Sequence, residues 1–152
     1  MKWTFLTLML VGMLFVIGCG EQPPSFQEGN YKVSLNEEKN TCPSELNKSL
    51  SGLWSTSMDW KIFYMEGKYY LSSSKRMLMT GREDGVSQLF SDVYSSTGNN
   101  CTTSVNTEVR VKSKSDKVLD IVMEIAFKLT CQSSDSVNCS VRIAGEGSQN
   151  KE

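Results

Sequence analysis

The chain has no histidine among its 152 residues. That absence removes the Ser-His-Asp and Cys-His arrangements that activate most protein nucleophiles, together with every metal site built on imidazole. The five cysteines contain no C-x-x-C spacing, so zinc-thiolate frameworks are missing as well, and neither a metal nor a cofactor is expected. Basic residues never run beyond the Lys75-Arg76 pair, and 16 of them stand against 17 acidic residues, which leaves no positive field for nucleic acid. Ser72-Ser73-Ser74-Lys75 matches S-x-x-K, but no S-D-N or K-T-G accompanies it and the chain is too short for a β-lactamase fold. Glu83 and Asp84 sit side by side between Gly81 and Gly85, where paired carboxylates are simply solvated. The expectation is a protein that is not an enzyme.

What the chain does have is alternation. From Leu119 to Cys131 the odd positions are Leu, Ile, Met, Ile, Phe, Leu and Cys, with mostly polar residues between them, the period of a half-buried strand. Cys101, Thr103, Val105, Thr107, Val109 and Val111 before it share that parity, as do Cys139, Val141 and Ile143 after it, so three neighbouring strands share one inner face. Tyr31, Val33 and Leu35 mark a short first strand. Trp54, Thr56, Met58, Trp60, Ile62 and Tyr64 mark another, turned at Glu66-Gly67 into residues 68–73. Met77 to Met79 reads as a short strand closed by a turn over Gly81 to Gly85. Val86 to Tyr94 fits both periods, since Val86, Leu89, Phe90, Val93 and Tyr94 have helical spacing, but weak helix formers between them favour a bulged strand. Pro43 to Ser49, with Leu46 and Leu50 four apart, suits one or two helical turns.

The fold class is therefore all-β: an antiparallel meander of about eight or nine strands, forming a small barrel or sandwich with one short helix. A single domain is expected over residues 29–146, with residues 147–152 as a disordered tail.

Residues 1–18 carry a different signal. Lys2 precedes an apolar run from Trp3 to Ile17 of about 15 residues, short of the roughly 20 that a spanning helix needs, so the segment reads as a signal peptide. The run ends Val16-Ile17-Gly18-Cys19 and here resembles the lipobox of bacterial lipoproteins, with an aliphatic residue at −3, a small residue at −1 and Cys at +1. The resemblance implies cleavage behind Gly18 and attachment of diacylglycerol to Cys19, followed by a third acyl chain such as palmitate on its new amino terminus. Gly20 stands where an Asp would hold such a protein in the inner membrane, so the resemblance favours the outer membrane, with the periplasmic or surface face left open. Residues 19–28, with Pro23-Pro24, form the tether. Cleavage would leave a net charge near −2, of the same sign as an anionic bilayer and no source of attraction to it, so acyl chains must supply the anchoring.

The other cysteines, Cys42, Cys101, Cys131 and Cys139, are even in number in an exported chain and read as two disulfides. A hairpin symmetrical about Asp116 places Cys101 opposite Cys131; one symmetrical about Asp135 places Cys131 opposite Cys139. The two are exclusive. The short Cys131–Cys139 loop is favoured, leaving Cys42 with Cys101, and Cys101–Cys131 with Cys42–Cys139 is the alternative.

Gly52-Leu53-Trp54 resembles the G-x-W of the lipocalins, in which the Trp opens the first barrel strand and an Arg of the last strand covers it. Arg142 is on the right strand by order, though its even number points it away from Val141 and Ile143. The resemblance implies an apolar ligand cavity lined by Trp54, Trp60 and Tyr64; the plain alternative is that all three are core. Two functions stay open: an interaction module whose partner is an envelope protein or peptidoglycan, and a lipocalin-like carrier of an apolar ligand.

Overall fold

The computed structural model describes residues 27–50, 56–73, 78–84, 87–132 and 134–150. Eight strands, β1 (Gly29–Asn40), β2 (Ser57–Met65), β3 (Lys68–Ser73), β4 (Leu78–Asp84), β5 (Ser87–Gly98), β6 (Cys101–Ser115), β7 (Val118–Cys131) and β8 (Ser134–Gln149), follow one another antiparallel around a closed barrel, and one helix, α1 (Ser44–Leu50), links β1 to β2. Closure resolves barrel against sandwich: β1 pairs with β8 from Tyr31↔Gln149 to Asn40↔Val141, with a bulge between Glu37 and Lys39. Sheet edges vanish where a sheet closes on itself, which is how a small all-β domain protects its backbone.

The alternation read from the sequence becomes the inside of this barrel. Leu119, Ile121, Met123 and Ile125 of β7 are buried between Val109 and Val111 of β6 and Val141 and Ile143 of β8, and Val33, Ile62, Leu71 and Met79 close the ring from the other side. Val111 lies opposite Ile121 and Cys101 opposite Cys131, the register of a hairpin symmetrical about Asp116. Two connections are two-residue turns with positive φ at both positions, Glu66 (51°) with Gly67 (79°) and Asn99 (51°) with Asn100 (62°). Such turns match the right-handed twist of their strands, and this is why β2–β3 and β5–β6 form without a longer loop.

Val86 to Tyr94 is strand rather than helix from Ser87 onward, but its alternation is broken: Ser87, Gln88, Leu89 and Phe90 are all buried and Ser91 to Gly98 all exposed. Phe90 points inward opposite Gly81, whose missing side chain leaves room for the ring; a Cβ there would lie 2.7 Å from Phe90 Cε1. Leu89, also buried, pairs between Arg82 of β4 and Arg110 of β6.

Three expectations are corrected. Gly81 to Asp84 is not a turn but the body of β4, paired from Thr80↔Ser91 to Asp84↔Ser87. Residues 147–149 are not a disordered tail but the end of β8, where Gly147 lies between Val33 and Leu119 and is buried. The favoured Cys131–Cys139 and Cys42–Cys101 pairing also fails, since the disulfides are Cys42–Cys139 (Cα–Cα 4.8 Å) and Cys101–Cys131 (Cα–Cα 4.0 Å). The cause is the β7–β8 connection, which is shorter than one centred on Asp135: Phe127 faces Cys139, and Cys131 faces Ser134. Cys42 arrives beside Cys139 because β1 leaves its pairing with β8 at Asn40↔Val141 and continues in step, with Thr41 N–H donating to Ser140 O at 2.9 Å.

Candidate interaction surfaces

The barrel has two ends. The near end holds the start of β1 and the turns at Glu66-Gly67 and Asp116-Lys117; the far end holds α1, both disulfides and the Asn99-Asn100 turn. Between them the described inner-face side chains form one buried cluster. Trp60, Tyr31, Phe90, Leu35, Ile62 and Leu71 are among the largest side chains, each under 2% exposed. Two buried polar atoms, the Trp60 indole N–H and the Gln88 amide oxygen, have no hydrogen-bond partner among the described residues. A buried unsatisfied group costs about 1–3 kcal/mol, so Trp60 is retained for its volume rather than its polarity.

Two of the three candidate ligand-lining residues, Trp60 and Tyr64, are among the described residues. Trp60 is core and Tyr64 is half-exposed at the near end, while Trp54, with the rest of Gly52-Leu53-Trp54, lies outside the described residues, as does Cys19. Arg142 faces outward, as its parity requires: its Nε donates to Glu38 Oε2 at 3.0 Å and its Nη1 to Glu124 Oε1, so it covers no core residue. A second exposed triad joins Lys114 to Glu146 and, at 3.8 Å, to Asp120. Carboxylate partners hold both cations above their ordinary pKa, the hydrogen bond from Lys114 to Glu146 and that from Arg142 to Glu38 being the largest causes. Among the described residues no group of His, Cys, Asp and Glu is arranged to hold a metal.

Exposed large apolar side chains lie on the described outer surface at both ends. At the far end β5 outruns β4: its described pairing with β4 stops at Thr80↔Ser91, whereas its pairing with β6 runs on to Gly98↔Cys101. Val93 and Tyr94 on this projection are 67% and 59% exposed, and Leu78 at the start of β4 is 59% exposed. A shallow groove of about 370 Å³ lies at its tip, between Thr97 to Asn100 and Thr130 to Gln132. α1 is held near the core side of this end by Cys42–Cys139 and by Asn40 Nδ2 donating to Asn47 Oδ1 at 2.8 Å, with Cys42 and Leu46 packed on the core.

At the near end the β2–β3 hairpin carries aromatic pairs on both faces. Phe63 and Tyr70 stack with centroids 5.5 Å apart, and Tyr64 meets Tyr69 edge-on at 4.9 Å. Burial, then the charges of Glu28 and neighbouring groups, raise the Tyr69 pKa; burial alone raises that of Tyr31, whose hydroxyl donates to Gln27 O at 2.9 Å. Sequence reasoning missed Leu78, Val93 and Tyr94. Their signal was the loss of alternation after Phe90, where two adjacent apolar residues are followed by Ser95, Ser96, Thr97 and Gly98 with nothing on either parity to bury. In comparisons with known proteins, no family model, curated protein or solved structure matches the chain.

Proposed function

We propose that the protein is a lipid-anchored bacterial envelope lipoprotein, held through Cys19, that works as a non-enzymatic interaction module rather than as a carrier. The large side chains buried inside the barrel support this reading most directly: a carrier needs a cavity of about 300 Å³ or more, and among the described residues Tyr31, Trp60 and Phe90 are packed into the core at 1% exposure or less. The partner is an envelope protein or peptidoglycan, engaged by the far-end projection with its exposed Val93 and Tyr94. Val16-Ile17-Gly18-Cys19 supports the anchor, and Gly20 supports the outer membrane as its destination.

Mass spectrometry of the mature N-terminus tests the anchor. A chain beginning at Cys19 with acyl mass is expected, and Cys19→Ala should no longer fractionate with membranes; an unmodified Cys19 would refute it. Closed-barrel topology favours the carrier as a second reading. Titration with palmitate while following tryptophan fluorescence separates the two, because a ligand entering the barrel must displace side chains around Trp60. No saturable change is expected, and a saturable one would establish the carrier.

A further inference from the structure

We infer that the tip of the β2–β3 hairpin is a membrane-contact element that seats the near end of the barrel on the bilayer surface; this rests on the proposed lipid anchor. The geometry begins with where the chain enters the fold. The first paired residue of β1, Gly29, lies opposite Ile62, one residue before the aromatic stretch of β2. Tyr31 fixes Gln27 at the same end through its hydroxyl, and Gln149 Nε2 donates to Glu28 O at 3.1 Å. The tether therefore leaves the barrel alongside Phe63, Tyr64 and Met65. From Cys19 to Gln27 the chain can span at most about 28 Å, so an acylated Cys19 keeps this hairpin within one short tether of the lipid.

The hairpin has the composition of an interfacial element. Tyr64 and Met65 are 51% and 49% exposed at its end, although five of its eight residues from Phe63 to Tyr70 are aromatic or Met. Phe63–Tyr70 and Tyr64–Tyr69 occupy opposite faces of the two strands, so packing one pair against the barrel leaves the other outside. Lys61, 5.9 Å from the Phe63 ring centroid, and Lys68 flank the aromatic residues. Aromatic residues with an apolar body and a polar tip, bordered by Lys, are favoured where hydrocarbon meets water. Charge does not drive the contact, because Lys61 and Lys68 share this end with Glu66 of the turn and with Glu28 and Glu83, whose charges act on Tyr69. Zwitterionic lipid should serve as well as anionic lipid, and salt should not release the hairpin. Seated this way, the barrel turns α1, both disulfides and the β5–β6 projection away from the membrane.

The test uses the mature acylated full-length chain on phosphatidylcholine vesicles, with a nitroxide at Met65→Cys or, at the far end, at Thr97→Cys. Flotation reports anchoring, and collision with oxygen against a water-soluble nickel chelate reports depth. The expected result is flotation of both, with the label at 65 shifted several-fold toward oxygen and the label at 97 unchanged. Amide exchange of residues 63–70 in the unsubstituted protein, slowed on vesicles relative to detergent-free monomer, gives the same answer without a substitution. Flotation with residue 65 as wet as residue 97 and no slowing of exchange overturns the docking and leaves the anchor standing, the outcome expected if a protein partner covers the hairpin instead. Failure to float overturns the anchor and the docking together.

Discussion

The two ends of the barrel are closed by different means. At the near end the β2–β3 hairpin runs on past Gly29↔Ile62, but short turns and backbone bonds complete the rim without a covalent link: Gln149 N–H donates to Lys117 O at 2.9 Å and Asn150 N–H to Asn30 O at 2.8 Å. At the far end, among the described residues, the β5–β6 pairing runs on to Gly98↔Cys101 past the last β4–β5 pair, Thr80↔Ser91, and both disulfides are placed there. Non-covalent closure is enough where every strand has two neighbours. Where strands project, inner-face residues such as Val105 and Leu129 are only partly buried, and covalent links substitute for missing packing.

Removing the links should break this contrast most strongly. The Cys42–Cys139 bridge spans 97 residues and Cys101–Cys131 spans 30; constraint of the unfolded chain gives about 4.7 and 3.6 kcal/mol respectively. Cys42→Ser with Cys139→Ser should therefore cost more than Cys101→Ser with Cys131→Ser, as measured by denaturant unfolding. Amide exchange should rise first in α1 and residues 92–105, with the near end changed least. Uniform exchange in both variants would show that the two ends are not distinct.

Gly145 tests the body between the ends. It lies opposite both Leu35 and Ile121, and a Cβ there would fall 1.9 Å from Ser34 O and 3.0 Å from Leu35 Cα. Backbone cannot step aside as a side chain can, so Gly145→Ala should cost about 3 kcal/mol, the upper end of overpacking. Gly81→Ala meets chiefly the Phe90 ring, at 2.7 Å, and should cost about 1–2 kcal/mol because a ring can tilt. Thermal unfolding of both variants checks the order; equal losses would mean that the β1–β8 seam is no tighter than the β4–β5 pair.

These glycines also mark what could be read in the chain and what could not. The strands β6 to β8 were legible because burial on one face imposes a strict period of two, and the β6–β7 ladder has the register of the alternative centred on Asp116, with a shift between Ser113 and Ser115 beside the turn. The β7–β8 register was not legible, since Gln132 to Asp135 offers several turn lengths that preserve parity while moving Cys139 along its partner. Gly147 stands at the start of the expected tail, residues 147–152, and glycine weakens an isolated strand. In the barrel the β1 backbone lies too close to Gly145 for a side chain, and Gly147 packs tightly against the Ile121 and Val33 side chains. Of the candidate surfaces, the aromatic content of β2 and β3 was plain, but its division into core Trp60 and half-exposed Tyr64 depended on where the strand passes the rim.

Alkaline pH should act on the near end. Burial raises the pKa of Tyr31 and, with Glu28, that of Tyr69, above the ordinary tyrosine value of 10.0. An unfolded phenol ionises near that value while the folded one stays neutral. The stabilisation is therefore fully present below about pH 10 and is lost as pH rises through the folded value. Absorbance at a phenolate wavelength should show late ionisation coinciding with unfolding. Tyr31→Phe, which cannot ionise, should flatten the alkaline loss of stability; an unchanged loss would mean that burial of Tyr31 does not matter there.

The smallest effects should come from the ion triads, one toward each end. Arg142 with Glu38 and Glu124, and Lys114 with Glu146 and Asp120, are drawn tightly but stand on the outer surface, with side chains about half-exposed. Water screens such pairs and the long side chains lose freedom in forming them, so the Coulombic gain is largely cancelled. Their strands are also already joined by continuous ladders, Glu124↔Arg142 in β7–β8 and Asp120↔Glu146 beside it, so neither triad closes a gap. Arg142→Gln and Lys114→Gln should each leave the melting temperature within measurement scatter, in low salt and in high salt alike. A clear loss for Arg142→Gln alone would show that the far end relies on its surface charges as well as its disulfides, and the contrast between the ends would then include electrostatics.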